Sequence, residues 1–372
     1  MAYKKHLKRN SSKDFLRNNP VTKLFMFFVH WFTKSIWHKI LFWFLAVVLL
    51  CIGVMYGIAR WYIWTQRDVP YSMGVTFNAD YAESLGLNPT QTLDAVFADL
   101  KIKNIRFTSY WSDIESTKGT YNFTQLDQEF ALADKYHVKV NLSIGLRQPR
   151  WPECHMPTWA SSEPYSVWDP QLNNFISTIV NRYKNNPELN TYELENEYFL
   201  KVFGTCTNYS RQRLINEFNL VKKLDPNHSI LINRSNNALG TPIGQPTPDV
   251  FGVSVYKRVW DKTITHRYFE YPFPAWFYAF LAGTEKIITG KNTELTELQA
   301  EPWPPTSITA ASEAEQLKSM SPSRLINRFE YGKATGMKTI DLWGAEWWYY
   351  QKVVKHDPAF WNIAEKEFAE TY

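Results

Sequence analysis

Metal-ligand spacings are missing from the 372 residues: neither C-x-x-C nor H-E-x-x-H occurs, and the chain has only three cysteines. No metal site of those types is expected, and nothing calls for a cofactor. Internal repeats and low-complexity linkers are also absent, so a repeat architecture is not expected; the length suits one large core or two modest ones. Basic charge is scarce where a nucleic-acid binder would need it. Residues 1–39 hold nine Lys or Arg against Asp14 alone, whereas 32 basic and 35 acidic residues follow from position 40 onward. The body is therefore mildly acidic despite a net charge of +5, and no nucleic-acid partner is expected.

One absence is positional. Ile40 to Ala59, "ILFWFLAVVLLCIGVMYGIA", carries no charge for 20 residues. That is the length a helix needs to cross about 30 Å of hydrocarbon. The reading is a single membrane-spanning helix and membrane lipid as a partner. The preceding cations stay cytoplasmic by the positive-inside rule, so everything beyond Arg60 is expected outside the cytoplasm. A cleaved signal peptide is the rival, but the run exceeds the usual apolar length of about 7–15 residues and lacks a clear A-x-A site. The aromatic, basic stretch "KLFMFFVHWFTKSIWHKI" before it suits the inner membrane surface. The organisation expected is a basic cytoplasmic segment at 1–39, the span at 40–59, a short stalk at 60–70 and one domain at 71–372.

From Tyr71 onward, short apolar or β-branched runs alternate with longer amphipathic ones. Strands are predicted at 73–78, 104–110, 139–145, 190–197, 229–235, 250–256, 292–299 and 339–346. Helical periodicity falls between them, as in "NPTQTLDAVFADLKIK", "TQLDQEFALADKYH", "QLNNFISTIVNRYK" and "SPSRLINRFEYGKATG". Eight strands alternating with helices predict an α/β fold, a (β/α)8 TIM barrel, with functional residues where strands end. The aromatic stretch "THRYFEYPFPAWFYAFLAG" is read as a barrel helix facing the core, with a membrane-facing helix as the alternative.

Residues 190–199, "NTYELENEYF", place Glu193, Glu195 and Glu197 on alternate positions, hence on one face if the strand is regular. A solvated edge strand would explain that cheaply. In a barrel, however, Glu197 ends strand four and Glu297 lies near the end of strand seven. Two carboxyl groups over one barrel mouth can flank a scissile glycosidic bond as proton donor and nucleophile. Asn196 could hold a sugar 2-hydroxyl, while Glu193 and Glu195 are left as interior groups or ion-pair partners.

The order of these residues resembles a clan A glycoside hydrolase, the retaining (β/α)8 superfamily with cellulase-like and β-galactosidase-like members, over residues 73 to about 350. The resemblance implies Glu197 of the strand-four Asn-Glu as acid/base and Glu297, after Thr296, as nucleophile. Arg106 in "NIRFTSYW" would support the nucleophile, Tyr256 would close strand six, and Trp343 on strand eight would floor the sugar site. The run containing Trp111, Glu115 and "GTYNF" is similar to the clan's passage from strand two to strand three. The chain departs from the pattern in "TELQAEPW", which replaces the frequent Glu-Phe-Gly, so Glu294 and Glu301 stand as alternative nucleophiles.

Other candidates for substrate contact are Trp111 after strand two and Arg147, Trp151, Glu153 and His155 in "RQPRWPECHMPTW", although His155 alone more often serves as a structural hydrogen bonder. Glu346, Trp347 and Trp348 follow strand eight and could bind further sugar units or pack. Cys154 and Cys206 leave neighbouring barrel strands and could pair outside the cytoplasm, tying two site loops together. The function expected is hydrolysis of a β-linked glycan or glycoside by double displacement. The rivals are transglycosylation at the same site and a catalytically inactive, membrane-tethered sugar-binding protein.

Overall fold

The computed structural model describes residues 20–236 and 243–371. Two units divide at Gly57. In the first, the basic, aromatic segment forms a helix at Pro20–Lys34, and Ser35 interrupts it before the long helix Ile36–Gln66 begins. That helix is the one, among the described residues, long and apolar enough to cross a membrane. At 1.5 Å per residue its 31 residues exceed the hydrocarbon thickness. Leu41, Trp43, Phe44, Leu49 and Leu50 leave their side chains exposed, as a lipid-facing helix would.

The second unit, from Ile58, is built on a closed barrel of eight parallel strands. In chain order the strands are β1 (Ser72–Phe77), β2 (Asn104–Phe107), β3 (Lys139–Ile144), β4 (Leu189–Leu194), β5 (Ser229–Arg234), β6 (Val250–Val255), β9 (Thr293–Gln299) and β10 (Thr339–Trp343). The other two, β7 (Arg258–Trp260) and β8 (Tyr268–Glu270), form a two-stranded hairpin after β6. The barrel closes where β1 pairs with β10. All eight barrel strands fall where the sequence pattern places them, with ends that differ by up to three residues.

Alternation along these strands decides what each side chain meets. Ile105, Phe107, Val140, Leu142, Ile144, Tyr192 and Leu194 belong to the buried apolar core, where they pack under the surrounding helices. Between them, Asn104, Arg106, Asn141, Ser143 and Glu193 are buried polar groups that meet inside the barrel. Asn104 Nδ2, for example, donates to Asp341 Oδ1 at 2.7 Å. The interior is therefore a hydrogen-bonded network rather than an apolar plug, and leaving any member unpaired would carry a desolvation cost. Helix caps follow sequence chemistry: Asn88, Ser210, Ser312 and Ser321 each accept a backbone N–H in the first turn of the following helix.

The stretch expected to be a stalk at 60–70 is mostly helix. The long helix continues to Gln66, and Ala59, Tyr62 and Gln66 are buried. A Cβ on Gly283 would stand 2.9 Å from Ile58 Cγ2 and 3.0 Å from Tyr62 Cβ, so only glycine admits this close approach. Gly283 belongs to the helix Ala275–Thr289, which buries Tyr278, Ala279 and Ala282. From Ala275 onward the aromatic connection between the sixth and seventh barrel strands is thus a core-facing barrel helix, while Tyr268–Glu270 before it lie in the hairpin.

Candidate active site

The stretch with three glutamates does not keep its alternation. β4 ends at Leu194, and Glu195 and Glu197 adopt left-handed backbone with φ of 57° and 45°. Such conformations are costly for non-glycine residues and cluster at functional sites. The three carboxylates consequently point to three places. Glu193 stays in the barrel and takes Arg106 on both oxygens. Glu195 turns aside to accept from Leu146 N at 2.6 Å, Arg147 N at 3.0 Å and Arg213. Glu197 remains at the mouth, its backbone N–H held by Asn233 Oδ1 at 2.5 Å.

Across the barrel, Glu297 has donors on both oxygens. Arg106 Nη1 donates to Oε1 at 2.6 Å, and Tyr256 OH donates to Oε2 at 2.6 Å. Arg106 is fully buried, so its charge acts at short range on Glu193 and Glu297 with little screening. Burial first, and then the charge of Glu297, hold the Tyr256 hydroxyl well above its usual range, which keeps it a donor. Glu197 feels the same neighbour. Burial and the nearby Glu297 charge push it up to about 7, against the lowering influence of Ser254, Arg147 and Ser235. A Glu197 with raised proton affinity therefore shares one mouth with a Glu297 whose two oxygens both accept hydrogen bonds.

Asn196 joins the two. Its Oδ1 accepts from Arg106 Nη2 at 3.1 Å and Asn233 Nδ2 at 2.8 Å, and its Nδ2 donates to Glu153 Oε2 at 3.1 Å. Asn233, on β5, is a residue of this cluster that the sequence reading missed.

The alternative nucleophiles have other partners. Glu294 is the second residue of β9, at the end away from the mouth, where Asn141 Nδ2 donates to it at 3.3 Å. Glu301 receives Tyr81 OH at 2.8 Å, Trp343 Nε1 at 2.7 Å and Arg150 Nη2 at 3.3 Å.

Several residues expected to contact substrate are placed otherwise. Trp111 is fully buried, its Nε1 on Glu115 and its ring against Trp159 and Phe175, so it is a core residue. Trp343 is nearly buried, and Arg150 lies 4.5 Å over one face of its ring, so that face is not open to a sugar. Glu346 is buried, accepts from Asn78 N at 2.6 Å and is pushed up to about 7 by burial. Trp347 and Trp348 are core residues whose Nε1 atoms donate to Gln316 Oε1 and Ala300 O. His155 stacks on Tyr110 at 3.5 Å and bonds Arg150 O, a structural role; burial pushes it down to about 4.

The loops after β3 and β4 are tied by a disulfide between Cys154 and Cys206. Arg147 fastens the same pair of loops, donating to Asn196 O at 2.7 Å and Phe203 O at 2.9 Å. Trp151, 64% exposed, stands edge-on to Phe203 at 5.9 Å. Phe203 is 6.4 Å from Trp303, which is 5.1 Å from Tyr256. These rings make a row leading to Glu297; Phe203 and Trp303 were not singled out from sequence.

No protein-family model matches the chain, and no curated protein matches it in sequence. Its fold is similar to that of xylanase 10B from Thermotoga maritima, at 15% identity and a TM-score of 0.53, covering 81% of this chain and 96% of that one. It is also similar to a β-galactosidase from Halorubrum lacusprofundi, at 12% identity and a TM-score of 0.53, covering 80% of this chain and 58% of the other. An exo-β-1,4-mannosidase from Opitutaceae bacterium strain TAV5 matches at 15% identity and a TM-score of 0.51, over 81% of this chain and 60% of that one.

Proposed function

We propose that this chain is a membrane-anchored, extracytoplasmic retaining glycosidase acting on β-linked glycans or glycosides, with Glu197 as acid/base and Glu297 as nucleophile. The observation that carries the reading is the unequal pair: Glu197 pushed up to about 7 beside a Glu297 whose two oxygens already accept from Arg106 and Tyr256. Glu197 donates its proton to the departing oxygen as a Glu297 oxygen attacks the anomeric carbon. Forming that ester removes the Glu297 charge, Glu197 loses one cause of its raised affinity for a proton, and it then takes a proton from the incoming water. The fold shared with enzymes named for xylan, β-galactoside and β-mannoside cleavage supports a β-linked substrate.

The anchor reading rests on the Ile36–Gln66 helix and on the cations before it, which favour a cytoplasmic N-terminus. Transglycosylation is the second reading, favoured by the Trp151, Phe203 and Trp303 row, which offers apolar faces to an acceptor sugar next to Tyr256.

The test is a screen of the detergent-solubilised full chain against aryl β-glycosides and β-glycans. Glu297→Gln should lower kcat by about 1,000-fold or more. Glu197→Gln should cost about 100-fold or more on poor leaving groups and far less on dinitrophenyl glycosides, which leave without a proton. A 2-fluoro glycoside should label Glu297, as found by peptide mapping. No turnover of any glycoside by the parent or by either variant would instead favour a binding protein, and variants as active as an active parent would remove Glu197 and Glu297 from the chemistry. Products formed with and without an added acceptor sugar separate hydrolysis from transfer.

A further inference from the structure

The two ends of the barrel differ in charge. Glu197 and Glu297 lie at the end where strands finish; the opposite face collects the turns that lead from helix into strand. On that face Lys101 precedes β2, Lys139 opens β3, Lys184 precedes β4, Lys223 precedes β5, Lys291 precedes β9 and Lys338 precedes β10. The acids of the same turns are already engaged. Glu188 and Asp225 are buried, Glu188 lying 3.0 Å from Lys139 Nζ and Asp225 2.6 Å from His228 Nδ1. Asp249 lies 2.6 Å from Lys222 Nζ and 3.9 Å from Lys291 Nζ, and Asp68 lies 3.2 Å from Arg67. What remains is cationic. Lys184 and Lys286 donate to the amide oxygens of Asn181 and Asn292, and Lys338 sits 3.9 Å over the Tyr71 ring, contacts that do not neutralise them. Lys101 and Lys223 are exposed. The mouth end is mixed instead, with exposed Glu83, Asp113, Glu163 and Glu313 beside exposed Lys118, Lys201 and Lys262.

Apolar groups stand on the same basic face. Ile287 and Ile288, in the last turn of the helix that precedes β9, are 57% and 75% exposed. The chain enters the barrel unit here as well: a Cβ on Gly336, in the turn before β10, would stand 2.9 Å from Ile63 Cγ1. Trp61 and Trp64 of that entering segment stay exposed, and Arg67 lies 4.5 Å over the Trp64 ring. Ammonium groups around exposed tryptophans and isoleucines suit the boundary of an anionic bilayer, rings and branched chains at headgroup depth and cations on lipid phosphates. A soluble partner would leave unexplained why these groups gather where a 20-residue uncharged run joins the barrel.

We propose that this face of the barrel docks on a bilayer containing anionic lipid, with Trp61, Trp64, Ile287 and Ile288 at the headgroup boundary and the turn lysines on lipid phosphates. The mouth, at the other end of the same strands, then faces away from the membrane, toward glycans that stand off its surface. The inference rests on the membrane-anchored reading and not on the glycosidase one.

The full chain is reconstituted in nanodiscs of phosphatidylcholine alone or with about one third phosphatidylglycerol, and its lysines are acetylated in a short pulse and mapped by mass spectrometry. Lys101, Lys184, Lys223 and Lys338 should react about threefold or more slowly in the anionic discs, and the difference should vanish at about 1 M salt. Lys118, Lys201 and Lys262 at the mouth end should react alike in both. Ile287→Ser/Ile288→Ser, at exposed positions outside the core, should shrink the difference. Equal rates in the two lipids, protection at the mouth end, an undiminished difference in the isoleucine variant, or protection of the turn lysines by soluble polygalacturonate but not by phosphatidylglycerol would overturn the docking and leave the anchor in place. A chain washed off phosphatidylcholine vesicles by alkaline carbonate would sink the anchor reading and the docking with it.

Discussion

Glu197 owes part of its chemical character to Glu297. Burial is the larger cause of its rise to about 7, and the charge of Glu297 is the next. Carbon-13 titration of the glutamates in Glu297→Gln should therefore show Glu197 titrating lower than in the parent, and an unchanged value would remove the electrostatic link. Because the donor must carry its proton, kcat/KM should fall as pH rises through about 7. The sequence singled out Glu197, Glu297, Arg106, Asn196 and Tyr256, and these meet in one hydrogen-bonded cluster. It did not mark Asn233, because nothing in "SILINRS" distinguishes an asparagine that buttresses two site residues from one that faces solvent. Trp111 erred in the opposite direction: a tryptophan near a strand end suits a sugar platform and a core equally well, and burial against Trp159 and Phe175 decides it.

At the scale of the element, two attachments shape the domain. The last turns of the long helix belong to the barrel unit, with Tyr62 buried against Gly283. Residues 60–70 read as a short stalk between the apolar run and the first strand, although Ala59, Tyr62 and Gln66 already lay on one helical face. Gly283→Leu should cost about 1–3 kcal/mol by overpacking that face, read as a lowered thermal midpoint of the full chain in detergent. A midpoint unmoved by the substitution would show that the contact contributes nothing. The second attachment is the disulfide, which closes a separation of 52 residues. Chain entropy sets an upper figure of about 4 kcal/mol for its loss in Cys154→Ser/Cys206→Ser, and activity should fall along with stability because both loops border the site. Stability loss with full activity would detach the clamp from the chemistry.

The whole domain carries an unusual load of buried acids. Glu129 is pushed up to about 8, and Glu197 and Glu346 up to about 7, with burial the main cause in each. Each has a folded pKa above its unfolded value near 4.5, so its contribution is intact below about 4.5 and is lost as pH rises through 7 to 8. The thermal midpoint should thus fall by several degrees between about pH 5 and pH 8. Glu129→Gln, which cannot ionise, should flatten part of that fall, and an equally steep profile in the variant would exclude Glu129 as a source.

What the sequence determined by itself is the architecture and the cast. Period-two and period-3.6 patterning fixes eight strand and helix units, a 20-residue uncharged run fixes one apolar helix, and spacing brings Glu197 and Glu297 to strand ends. These are local properties, set by backbone geometry and by which side chains avoid water. Only the tertiary structure decided which of three neighbouring glutamates faces the mouth, because two left-handed residues after β4 send Glu195 and Glu197 in different directions. It alone decided that Arg150 lies over one face of Trp343 and that Glu153 stands beside Asn196. Such contacts join residues dozens to hundreds of positions apart, and their energies depend on burial and on distances of a few ångströms that no local pattern encodes.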